Sequence, residues 1–102
     1  MFVEKLSKKE IYDMAFKILI EKAHKNPEIS YTGHNVTNVT RLKDVLFFEI
    51  FYYENDEQDT LKCLQVKATD SGVYLDKEYC PIVTKYLVSL IATKISNKSF
   101  AI

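Results

Sequence analysis

Asp44–Asp59 reads DVLFFEIFYYENDEQD, and the alternation in its first ten residues decides the fold. Successive side chains of a strand point to opposite faces. Leu46, Phe48, Ile50 and Tyr52 therefore share one side, while Val45, Phe47, Phe51 and Tyr53 share the other, where Glu49 is the single interruption. An unpaired carboxylate turned into a helix-packed core costs several kcal/mol. The Glu49 side is thus expected to face away from any helices, and the Leu46 side to meet them together with Leu64, Val66 and Ala68 of the following strand.

Outward from this strand the sequence alternates turns and short β-prone runs. Glu54–Asp59 (ENDEQD) has hairpin-loop length, and its acidic residues suit a solvated tip that protects against edge pairing. Leu61–Ala68 reads as the next strand. The turn Thr69-Asp-Ser-Gly72 places Gly72 where a bulge-type hairpin wants it, ahead of a short strand Val73–Leu75. Upstream, the β-branched run Asn35–Leu42 (NVTNVTRL) leads through a Lys43-Asp44 turn into the central strand. Asn26–His34 (NPEISYTGH) reads as loop, with Gly33 the position suited to positive φ.

Two helices flank these strands. Ser7-Lys-Lys-Glu10 is a capping box, with Leu6 and Ile11 as its hydrophobic staple, so a helix is predicted from Lys8. At 100° per residue Glu10, Asp13, Lys17, Glu21 and His24 form one narrow polar stripe, and apolar side chains fill much of the rest. Pro27 stops this helix by Asn26. Proline is tolerated only in a first turn, so Pro81 dates the start of the second helix to about Glu78–Cys80. Ile82, Val83, Tyr86, Leu87, Leu90, Ile91 and Ile95 give it a broad apolar surface, and 97–102 reads as a frayed tail. The expected fold is a single α+β domain spanning 1–102. It is two-layered, a three- or four-stranded antiparallel β-meander between an N-terminal and a C-terminal helix, both packed on one sheet face.

Bulk composition narrows the function. Fourteen basic and fourteen acidic residues cancel, so no net field steers the chain to nucleic acid or an anionic membrane. Arg41 is the only arginine, which weakens bidentate phosphate or guanine recognition. The first ten residues carry charges where a secretory signal needs an apolar run, and no segment has the length of apolar sequence a membrane helix requires. An intracellular, cytoplasmic protein with no membrane partner is expected, and in that setting the acceptor patterns at Asn35, Asn38 and Asn97 carry no glycan.

The Glu49 side of the central strand remains to be accounted for. Its three aromatic rings would each bury roughly 150–250 Å² if covered, so leaving them wet forfeits several kcal/mol and invites aggregation. Val45, Phe47, Glu49, Phe51 and Tyr53 are the candidate interface. They can be covered by a loop, tail or helix of the same chain, by a second copy in a homodimer, or by a different macromolecule. The homodimer leads, because both helices are greasier than one contact surface needs.

Chemistry is sparse by comparison. Cys80-Pro81 puts a thiol at a helix N-terminus, where the dipole can lower its pKa, which makes Cys80 the candidate reactive thiol. No base, oxyanion loop or phosphatase-type arginine accompanies it. His24 and His34 have no helical i, i+4 ligand partner, ENDEQD lacks the glycine and terminal glutamate of an EF-type loop, and Gly33 and Gly72 stand alone. No cofactor or metal is expected. The order helix, three strands, helix resembles the double-stranded RNA-binding domain, which implies phosphate contacts from lysines at the start of its second helix. Here that position reads DKEYCPIVTK, without the lysine cluster. The expectation is a non-enzymatic protein that binds protein, with two alternatives: an RNA-binding module with that topology, and a thiol-dependent enzyme or redox protein using Cys80.

Overall fold

The structure, a computed structural model, describes residues 2–55, 60–76 and 78–100, the last four by backbone alone. After a short 3-10 turn at Val3–Lys5 come helix α1 (Lys8–Lys25), strands β1 (Tyr31–Leu42), β2 (Val45–Glu54), β3 (Leu61–Thr69), β4 (Gly72–Leu75) and β5 (Glu78–Tyr79), and helix α2 (Pro81–Phe100). The strands form one antiparallel sheet in sequence order, β1-β2-β3-β4-β5. The α+β class and the two flanking helices are as the sequence indicates. The sheet has one strand more than expected, because Glu78 and Tyr79 pair with Leu75 and Tyr74 before the helix begins.

Helix α1 starts where its box requires. The Glu10 amide donates to Ser7 Oγ at 3.1 Å, and the Ser7 amide donates to Glu10 Oε1 at 2.8 Å. Leu6 and Ile11 are buried beside it. Helix α2 starts at Pro81, whose missing N–H costs nothing at that position, and the Cys80 carbonyl accepts from the Thr84 amide at 2.9 Å. Thr84 Oγ1 in turn accepts from the Val73 amide at 2.8 Å, tying the start of α2 to β4. No glycine or proline interrupts the helix beyond Pro81, and it continues to Phe100, four residues into the segment read as a tail.

One sheet face and the helices enclose the core. Leu46, Phe48, Ile50 and Tyr52 of β2 are buried, as are Leu64, Val66 and Ala68 of β3, against Ile11, Met14 and Ile18 of α1 and Val83 and Leu87 of α2. Helix α1 lies over β1, α2 over β4, and the two touch each other. Below them the N-terminal segment is pinned at both ends. Arg41 donates to the Glu4 and Leu6 carbonyls, each at 2.7 Å, and Asp70 accepts from the Val3 amide at 2.8 Å.

Three local expectations are corrected by the structure. Strand β1 begins at Tyr31 rather than Asn35, because the Gly33 kink (φ +62°) is absorbed as an irregularity within the strand instead of ending a loop. Gly72 has no positive φ; a Cβ there would stand 3.0 Å from the Tyr74 ring, so glycine serves close approach rather than a bulge. Glu21 is not part of a solvated stripe: it is 5% exposed, turned toward the start of α2. The acidic hairpin tip falls mostly on residues 56–59, outside the described residues.

Candidate functional site

The pairing register assembles the outward sheet face row by row. Thr40, Phe47, Lys67, Tyr74 and Tyr79 make one cross-strand row, Thr37, Glu49 and Gln65 the next, then Asn35, Phe51 and Cys63, and finally Thr32, Tyr53 and Leu61. All five candidate interface residues, Val45, Phe47, Glu49, Phe51 and Tyr53, lie on this face, away from the helices. Phe47 is 37% exposed and Val45, Phe51 and Tyr53 are half-buried by their strand neighbours, while Cys63, Gln65 and Lys67 are exposed. The sheet therefore leaves its aromatic side open rather than folding a described segment across it.

Glu49 is outward and also satisfied. Asn38 donates to its Oε1 from β1, and the Cys63 thiol donates to its Oε2 from β3 at 3.3 Å. Asn38 reaches it because the β1 register shifts between Thr37 and Thr40, with Asn38 at φ +54°. Burial, followed by the hydrogen bond and charge of Glu49, raises the Cys63 pKa. The sequence marks Glu49 as a lone carboxylate; the two lateral partners depend on the register and the irregularity and have no local signal.

Next to Phe47 the face dips into a broad groove of about 1230 Å³, floored by Val45, Phe47, Gln65, Lys67 and Tyr74. Tyr74 stacks at a tilt on Tyr79, with ring centroids 5.6 Å apart, extending the aromatic surface onto β5. Asp44, Asp70 and Asp76 stand in turns at its rim. Lys67, Tyr74 and Tyr79 join the face only through the β3-β4-β5 register, so the strand that identifies the face by sequence does not identify its full extent.

Cys80 sits in a different environment from the one its helix position suggests. It is 3% exposed and donates to Glu21 Oε2 at 2.7 Å. Burial, then the hydrogen bond and charge of Glu21, pushes its pKa up to about 12, so the dipole does not activate it. Lys25 approaches Glu21 Oε1 to 3.7 Å, and that oxygen has no hydrogen-bond donor among the described residues. Glu21, Lys25, Asn26, Leu64, Leu75 and Cys80 border a second hollow of about 360 Å³. Of the histidines, His34 packs against the rings of Tyr12 and Phe16. Among the described residues there is no cluster of three His, Cys, Asp or Glu placed to hold a metal, and no helix is long and apolar enough to cross a membrane.

Compared with protein-family models, curated proteins and solved structures, the chain matches none of them.

Proposed function

We propose that the protein works through protein–protein contact rather than catalysis, as a homodimer joined by its outward sheet face. One observation carries this reading: a sheet face bearing Val45, Phe47, Phe51, Tyr53, Leu61 and Tyr74 is left uncovered by the described residues of its own chain. An antiparallel sheet with one solvated face alternates apolar-in with polar-out; β2 is apolar or aromatic on both sides except at Glu49 and the terminal Glu54. Patches of this kind mark interaction surfaces.

Catalysis finds less support. The thiol best placed by sequence is held protonated beside Glu21, away from any electrophile-stabilising group. Cys63 and Cys80 are both free thiols, which suits a reducing, cytoplasmic setting. The test is light scattering on wild type, Phe47→Asp and Phe51→Asp. Wild type should form dimers, and both variants should remain folded monomers with unchanged far-UV circular dichroism. Wild type and variants with the same monomeric mass would remove the reading.

A further inference from the structure

Among the described outward-facing strand residues, Glu49 and Lys67 are the only two charges, one of each sign, on adjacent cross-strand rows. Resting on the homodimer reading, and giving it a register, we infer that two protomers meet face to face about a two-fold axis that sets Glu49 of each opposite Lys67 of the other.

Charge sets the register. Covering the face with an apolar partner would bury Lys67 without a counter-charge and leave Glu49 with two neutral donors alone, a cost that an opposite charge in contact offsets for both. A second copy supplies the complement to both at once, because in a two-fold interface residue i meets j and j meets i. A different protein would need its own acid and base at matching spacing. Glu49 can take the added donor: a carboxylate has about four acceptor sites, and Asn38 and Cys63 use two. Those two bonds also hold the carboxylate in place, so little order is lost on pairing. Lys67 stands between Phe47 and Tyr74 in its row and is exposed.

The size of the face agrees. β2 and β3 pair without a break from Val45↔Thr69 to Tyr53↔Leu61. At about 3.4 Å per residue and about 4.8 Å between strands, that run with β1 beside it and the four residues of β4 presents roughly 500 Å² before side-chain relief. A standard interface takes about 800 Å² from each partner.

Charge reversal tests the register. Glu49→Lys alone and Lys67→Glu alone should each weaken self-association by about 100-fold or more, since each sets like charges together twice. Mixed in equal amounts, the two variants should associate to within about tenfold of wild type, because the mixed pair restores both attractions. Wild-type protein needs no substitution for the second arm. A carbodiimide cross-link between 14N- and 15N-labelled chains should join Glu49 of one label to Lys67 of the other. A monomeric wild type overturns this inference together with the homodimer. A dimeric wild type whose single variants stay dimeric, or whose cross-links join other residues, overturns the register and leaves the homodimer standing.

Discussion

The Cys63 thiol on β3 donates a hydrogen bond to Glu49 on β2 at 3.3 Å, diagonally across the outward face of the sheet. The carboxylate raises the thiol's pKa, after burial, so Cys63 is exposed yet held protonated. In the Phe47→Asp background, where the face is uncovered, Glu49→Gln removes the charge and should speed alkylation of Cys63 by iodoacetamide at about pH 8, where the thiolate fraction governs the rate. An unchanged rate, followed by mass spectrometry, would mean that the carboxylate does not reach the thiol in solution.

The contrasting thiol is Cys80. With its pKa pushed up to about 12 and 3% of its surface exposed, it should resist iodoacetamide in the native protein and react fully only in denaturant. Cys80→Ala removes the donor to buried Glu21 Oε2 as well as packing volume, and should cost about 2–4 kcal/mol in urea unfolding. A loss below about 1 kcal/mol, less than an unsatisfied buried acceptor costs, would show that Glu21 finds another donor.

Acid should weaken the fold through two carboxylates. Burial favours the neutral form of Glu10, but hydrogen bonds from Ser7 and Lys94 outweigh it and lower the pKa. Lys94 approaches Glu10 Oε2 to 2.9 Å, joining α1 to α2. At Asp70, burial is likewise outweighed by donors that include the Val3 and Phe2 amides. A folded pKa below the unfolded one contributes stability that is complete above the unfolded value, about 4, and is lost as pH falls through the depressed value. Unfolding midpoints should therefore be steady near neutrality and decline below about pH 4–5. Ser7→Ala should flatten part of that decline and cost about 1 kcal/mol near neutrality.

Gly33→Ala tests the β1 kink. At φ +62°, with the Tyr53 ring 3.2 Å from where a methyl group would stand, any L side chain is strained, and the variant should lose roughly 1–2 kcal/mol in urea unfolding. Gly72→Ala should lose less, because the crowding atoms belong to the movable end of Tyr74.

What could be read ahead of the structure was set by local chemistry. The period-two alternation of Val45–Tyr53 needs no distant partner to assign its faces, and the Ser7–Glu10 box closes on itself. The features that escaped depend on tertiary register. Glu78 and Tyr79 form a strand only because Leu75 and Tyr74 lie beside them. Glu21 lies at the same helical angle as solvated residues, yet it is turned inward, where Cys80 donates to one oxygen and Lys25 approaches the other. The partners of Glu49 come from two neighbouring strands, one reached through a shifted pairing. The outward face is legible as one strand, whereas the aromatic row through Lys67, Tyr74 and Tyr79 requires knowing which strands adjoin it.

The homodimer is tried most directly by sedimentation equilibrium of the wild-type chain from about 1 to 100 µM, a range that brackets specific self-association. A species of twice the 11.9 kDa chain mass is expected at the upper concentrations, dissociating on dilution or staying dimeric throughout. A single 11.9 kDa species at every concentration would mean that the aromatic face stays open in solution and that no second copy covers it.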